Sequence, residues 1–182
     1  MRQHGPWQIR SSRQVYRDLW IEVRQDDVIR PDGADGTHCV VQMKPGVSVL
    51  AMDDDQNVYL TEEFHYAIGR LGLEAVSGGM EPGEEPLAAA QRELEEELGI
   101  RAAQWAPLGV VDPFTTIVAS PTSLFLAERL TFVATALEGT EQIRRVRLGL
   151  AHAVEAVCTG IISHAPTCIL ILRTHLLMQS RI

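Results

Sequence analysis

Cysteine is scarce: the chain holds only Cys39, Cys158 and Cys168. With no CxxC or Cys/His ligand spacing, the trio excludes a disulfide scaffold and argues against a zinc centre. Cys158 and Cys168 lie in apolar stretches, so both are expected to be buried thiols. Long hydrophobic runs are missing as well. Ile169 to Leu172 is cut off by Arg173, far short of the roughly 20 residues a membrane span needs. Met1 to Trp20 has no apolar core of signal-peptide length. These absences lead to the expectation of a cytoplasmic protein with no membrane partner. Positive charge is also short, with a formal net charge of −8. A face that grips nucleic acid through its phosphates is basic, so no nucleic-acid partner is expected. A small phosphorylated substrate remains compatible, because a metal ion supplies positive charge locally.

What is present is an ordinary core-forming composition. At 182 residues and 46% hydrophobic, the chain has the size of one domain with a small appendage. Val15-Tyr16, Trp20 to Val23 and Cys39 to Val41 are β-rich, separated by the turn signals Pro31-Asp32-Gly33 and Asp35-Gly36; they predict a small antiparallel sheet. Val47 to Met52 and Val58 to Thr61 predict a hairpin with the acidic turn 53–57, which lacks the glycine and closing glutamate of an EF-hand. Ser77 to Gly83 predicts a loop. From Glu84 to Leu98 the pattern is helical, with Leu87, Ala90, Leu94 and Leu98 on one face and Gly99 placed to end it. Strands are expected at 108–111, 124–127, 130–133 and 143–150, and helices at 151–158 and 165–178. The class is α/β or α+β.

The stretch richest in chemistry is Gly78 to Ile100. Glu93, Glu96 and Glu97 stand at i, i+3 and i+4, hence on one helix face. Like charges there repel, and they crowd the C-terminal end, where the helix dipole disfavours them. No lysine on the helix relieves them. Carboxylate oxygens in that arrangement suit Mg²⁺ or Mn²⁺, which also bind substrate phosphates. A solvated acidic face is the plain alternative. Gly78, Gly79 and Gly83 in the preceding loop let the main chain approach a ligand closely.

Gly78-Gly79-Met80-Glu81-Pro82-Gly83-Glu84, seven residues, then Arg92-Glu93-Leu94-Glu95-Glu96-Glu97-Leu98-Gly99-Ile100 resembles a complete Nudix box, G-x5-E-x7-R-E-U-x-E-E-x-G-U with U aliphatic. Glu63 to Ala67 and Glu74 to Gly79 are similar to the ADP-ribose pyrophosphatase branch of that family. The resemblance implies a mixed β-sheet sandwiched between helices, preceded by an N-terminal antiparallel sheet. The division expected is a dimerising β segment at 1–45 and a hydrolase domain at 46–182. It implies magnesium, with manganese as a substitute, and a nucleoside diphosphate sugar as substrate, ADP-ribose leading. Glu93, Glu96 and Glu97 would be metal ligands, joined by the backbone carbonyl of Ser77. Arg92 would order the glutamates, with Glu84 as its partner, and Glu96 and Glu97 would take part in catalysis. Glu141 would be the general base, with Glu138 second. Trp20, His65, Arg70, Glu74 and Gly79 would bind substrate, and Trp7 and Tyr16 are further aromatics for stacking on a base.

This chain departs from the branch at His65, where an arginine usually grips the diphosphate; a histidine grips less firmly. It also lacks the Pro-Gly-Gly stretch after the box, and Ser120-Pro121-Thr122-Ser123 runs straight into a strand. Other readings keep the fold and change the role: hydrolysis of another nucleotide such as a dinucleoside polyphosphate, or a sensor that binds without cutting. Sensors commonly lose box glutamates, and all are present here. An isopentenyl diphosphate isomerase would need a catalytic cysteine upstream, for which only Cys39 is available.

Overall fold

In the computed structural model, described over residues 1–137 and 142–180, the elements run β1 (Arg2–His4), β2 (Trp7–Arg17), β3 (Ile21–Ile29), β4 (Asp35–Met43), β5 (Gly46–Met52), β6 (Asn57–His65), β7 (Arg70–Glu74), β8 (Val76–Gly79), α1 (Pro86–Leu98), β9 (Ile100–Val111), β10 (Val118–Ala119), β11 (Thr122–Phe132), β12 (Arg144–Gly149), α2 (Leu150–Cys158) and α3 (Ala165–Ser180). The chain divides into two units, Met1–Lys44 with Asp112–Ser120, and Pro45–Val111 with Pro121–Ile182.

The first unit is a five-stranded sheet in the order β1-β2-β3-β4-β10. Its strands are longer than the sequence signals suggested; β2 alone spans 11 residues. The turn 30–34 is closed by Asp32, which accepts from the Ala34 amide at 3.0 Å and pairs with Arg30. Ile9 and Val28 are buried. The unit also takes in residues 112–120, a contribution from far along the chain that no local pattern announces.

The second unit is built on a seven-stranded mixed sheet with the path β12-β6-β5-β11-β9, β7 pairing with β6 and β8 with β5. Alternation along β5 decides its architecture. Leu50 and Met52 face one side, where they pack with Leu150, Ala153, Leu170 and Ile171 of α2 and α3. Val47, Val49 and Ala51 face the other, against Ala89, Ala90, Leu94 and Leu98 of α1. A strand buried on both faces reads as a near-continuous apolar run, and 47–52 is apolar but for Ser48, whose buried hydroxyl is bonded to Ser77. The mixed sheet sandwiched between helices is therefore present.

Several local expectations are corrected. Ser77 to Gly79 is strand rather than loop, because β8 pairs with Gly46 to Val49. Leu87 is 40% exposed and Ala89 is buried instead, since the first helical turn precedes the contact with the sheet. The two strands expected at 124–127 and 130–133 are one strand, Thr122–Phe132, which continues through Arg129 although its φ is 58°. Cys158 is exposed and Cys168 half-buried; the last turn of α2 swings Cys158 outward, and the apolar residues around it belong to the buried face. The acidic turn 53–57 is structural: Asp53 accepts from the Asn57 amide at 2.8 Å and pairs with Arg147 at 2.8 Å.

Candidate functional site

The acidic helix α1 follows a short turn in which the Glu84 amide donates to the Glu81 carbonyl, while Glu84 Oε2 accepts from the Glu81 amide at 2.9 Å. Pro86 opens the helix, where its missing N–H costs nothing. Gly99 closes it at φ 60°, donating to Glu95. A side chain at Gly99 would also run into the Val133 carbonyl.

Arg92 organises the acidic face. Its guanidinium takes Glu84 through both ends, at 3.0 and 3.1 Å, and its Nη1 lies 2.8 Å from Glu93 and 3.0 Å from Glu96. Nη2 also donates to the Gly79 carbonyl at 3.1 Å. Hydrogen bonding to Glu84, ahead of the pull of Glu93, raises the Arg92 pKa, and Arg92 lowers that of Glu84. Glu95 turns away from this group and pairs with Arg101 at 2.5 Å. Arg145 of β12 donates to the Leu98 carbonyl at the end of α1. The cation that the crowded carboxylates demand is thus supplied in part by the chain's own arginines, and crowding by itself is a weaker argument for a metal than the sequence suggested.

Glu93 carries the stronger one. A Cβ on Gly78 would lie 2.0 Å from the Glu93 carboxylate, so the absent side chain at Gly78 is the space that the carboxylate fills against the backbone of β8. Among the described residues, no group of three or more acidic, histidine or cysteine side chains is gathered to hold a metal; Glu93 and Glu96 converge on Arg92 instead. The donor chemistry nevertheless fits a hard divalent cation. Glu93, Glu96 and Glu97 offer only carboxylate oxygens from one half-buried helix face, and the Gly78 cradle brings one of them to a strand that offers backbone carbonyls. Ser77, in that strand, spends its hydroxyl on Ala75 and Ser48, which leaves its carbonyl as the group of interest.

A second cluster involves residues expected to bind substrate. His65 Nε2 lies 2.9 Å from Glu74 Oε1, buried and without a well-aligned hydrogen bond. Glu74 Oε2 lies 3.2 Å from His164 Nδ1. His164 and its neighbour Thr167 were not singled out from the sequence; a histidine three residues before a threonine at a helix start is too common a signal. Arg70 donates to Ser163 at 2.9 Å. Trp20, in the first unit, is 70% exposed with Lys44 Nζ 5.8 Å from its ring centre. Tyr16 is exposed. Trp7 lines a cavity of about 600 Å³ within the first unit, its ring 5.7 Å from that of His38. Glu138 and Glu141 lie outside the described residues. No described helix is long and apolar enough to cross a membrane.

A mixed sheet between helices, carrying an arginine-ordered acidic helix behind a glycine cradle, defines an α/β protein with a carboxylate-lined helix face. Two family profiles match it: NUDIX domain over residues 42–156 and nucleoside diphosphate sugar hydrolase N-terminal domain over 7–41. The chain belongs to the Nudix family. It is 33% identical over 103 residues to an ADP-ribose pyrophosphatase of Mycobacterium tuberculosis, covering 56% of this chain and 50% of that one. It is 30% identical over 117 residues to an ADP-ribose pyrophosphatase of Bacillus subtilis, covering 64% and 63%. A CMP-5'-(N-acetyl-N-hydroxy-3-aminopropyl)phosphonate hydrolase of Streptomyces rubellomurinus is 29% identical over 155 residues, 85% of this chain and 75% of that one. The chain thus spans between half and two-thirds of the length of the two ADP-ribose pyrophosphatases. The crystal structure of an ADP compounds hydrolase superposes with a TM-score of 0.81 over 100% of both chains at 22% identity, a likeness of fold.

Proposed function

We propose that this protein is a magnesium-dependent pyrophosphohydrolase that cuts the diphosphate of a nucleoside diphosphate sugar, ADP-ribose leading, into a nucleoside monophosphate and a sugar phosphate. The observation that carries the reading is Glu93 seated in the space left by Gly78, within a box where Arg92 holds Glu84, Glu93 and Glu96 together. Glu93, Glu96, Glu97 and the Ser77 carbonyl would hold the cation, with manganese as a substitute. When bound, a divalent cation neutralises diphosphate charge and makes an attacking water more acidic. Arg92 orients the carboxylates of Glu93 and Glu96, and Glu84 keeps Arg92 in place. Glu141 keeps the role of general base, Glu138 standing second. His65, Arg70, Glu74, Gly79 and Trp20 are proposed to meet the substrate. The Streptomyces relative, which aligns over the largest share of this chain among the three, supports testing cytidine compounds beside adenosine ones.

We propose further that the protein is a cytoplasmic homodimer joined through residues 1–45, a reading supported by the exposed Tyr16, Leu19 and Trp20 of that segment.

The test is a panel of nucleoside diphosphate sugars, dinucleoside polyphosphates and cytidine compounds, each incubated with Mg²⁺ while monophosphate release is followed. Turnover of at least one compound is expected, with Glu97→Gln folded and lower in kcat by about 10³-fold. A folded protein silent across the panel defeats the enzyme reading. Wild-type rates from Glu97→Gln defeat the ligand assignment.

A further inference from the structure

At Ala75 the chain changes partners. The last pair of β7 with β6 is Glu74 with Thr61, and the first pair of β8 with β5 is Val76 with Val49. Ala75 belongs to neither ladder, yet it is 1% exposed. A buried backbone amide in that position needs a partner from elsewhere. The Thr167 hydroxyl, on α3 and fully buried, accepts from the Ala75 amide at 2.9 Å. The flanking carbonyls are also met by hydroxyls: Thr61 donates to Glu74 at 3.2 Å and Ser77 to Ala75 at 2.9 Å.

Thr167 is itself oriented. Its oxygen accepts from Ala75, so its own proton points to His164 Nδ1, 2.9 Å away. That assignment uses the neutral ring with its proton on Nε2. Glu74 Oε2 lies 3.2 Å from the same Nδ1. One short run at the head of α3 thereby holds the amide of Ala75, and the Glu74 carboxylate lies beside the same imidazole. Two and three residues on stand Ser77 and Gly78, the latter beneath the Glu93 carboxylate.

We propose that Thr167, oriented by His164, is a positioning residue for the cation-and-diphosphate site: its hydroxyl fixes the strand switch at Ala75 and through it the placement of Ser77 and Gly78 against Glu93. The proposal rests on the reading of that site given above. The two residues it adds, His164 and Thr167, lie in the second unit and are not among the groups placed to hold the cation.

Thr167→Val keeps the shape and removes the hydroxyl; Thr167→Ser keeps the hydroxyl. In the full chain, amide hydrogen exchange at 75–79 is expected to be about tenfold faster in Thr167→Val, with α1 unchanged. Mn²⁺ affinity, read by electron paramagnetic resonance without substrate, is expected to fall about tenfold, and kcat more than KM is expected to suffer. Thr167→Ser is expected to restore all three. Unchanged exchange at 75–79 in Thr167→Val overturns the proposal, and so does a serine variant that behaves like the valine one. If Thr167→Val does not fold, His164→Phe, which removes the acceptor of the hydroxyl proton, is judged by the same exchange at 75–79. A wild-type protein that binds no Mn²⁺ sinks the cation reading of the site, and the exchange measurement then decides the pinning by itself.

Discussion

Gly78 and Glu93 form the pair on which the site turns. The atom that a Cβ on Gly78 would displace is the far end of a flexible glutamate, so Gly78→Ala is expected to cost the fold less than about 1 kcal/mol while forcing the carboxylate aside. Activity is expected to drop by about 10²-fold or more with the thermal midpoint nearly unchanged. Gly99→Ala is expected to behave in the opposite way. There the obstacle is the Val133 carbonyl, part of the backbone, and φ is 60°. A loss of about 2 kcal/mol or more in urea unfolding is expected from the left-handed backbone and the clash together. Both glycines were legible in the sequence, Gly78 as part of a loop pattern and Gly99 as a helix stop. Their different physical reasons were not, because each depends on which atom stands opposite.

Among the elements, α3 does more than cover the sheet. His164, immediately before it, is half-buried beside Glu74 of β7 and His65 of β6, with Cys168 one helical turn further along and Arg70 held by Ser163. Burial, opposed by Glu74 and aided by His65, holds the His164 pKa below its ordinary value of 6.5. As pH falls through 6.5 the unfolded chain takes up this proton before the folded one does. Stability is therefore full above that pH and declines below it. A wild-type unfolding free energy that falls between pH 7 and pH 5.5, with a shallower slope in His164→Gln, is expected from chemical denaturation at each pH. The helices themselves were read closely from the sequence: α2 and α3 differ from expectation only at their ends. The strand switch at Ala75 escaped, since a single residue between two short strands carries no periodic signal and its hydrogen-bond partner lies 92 residues away.

For the whole molecule, the formal net charge is −8 and no described helix is long and apolar enough to cross a membrane. If the exposed Tyr16, Leu19 and Trp20 mark the proposed dimer surface, light scattering at micromolar concentration is expected to give twice the mass of 20.1 kDa. Leu19→Glu is expected to shift that mass toward the monomer. A wild-type monomer at that concentration ends the assembly proposal. The two-unit division illustrates a limit on reading organisation along a chain: residues 112–120 join the first unit through β10 pairing with β4, a pairing of two residues that no composition change marks.

The box glutamates at fixed spacing, the apolar run of β5 and the stop at Gly99 are properties of neighbouring residues, and the sequence by itself determined them: the acidic helix, the sheet it lies on and the family. Tertiary structure alone decided that Arg145 of β12 reaches the Leu98 carbonyl at the end of α1, that Glu93 occupies the space of a missing side chain, and that α3 holds the β7–β8 junction. Each of these joins groups distant in the chain, and the burial and geometry of such contacts exist only once the fold has brought them together.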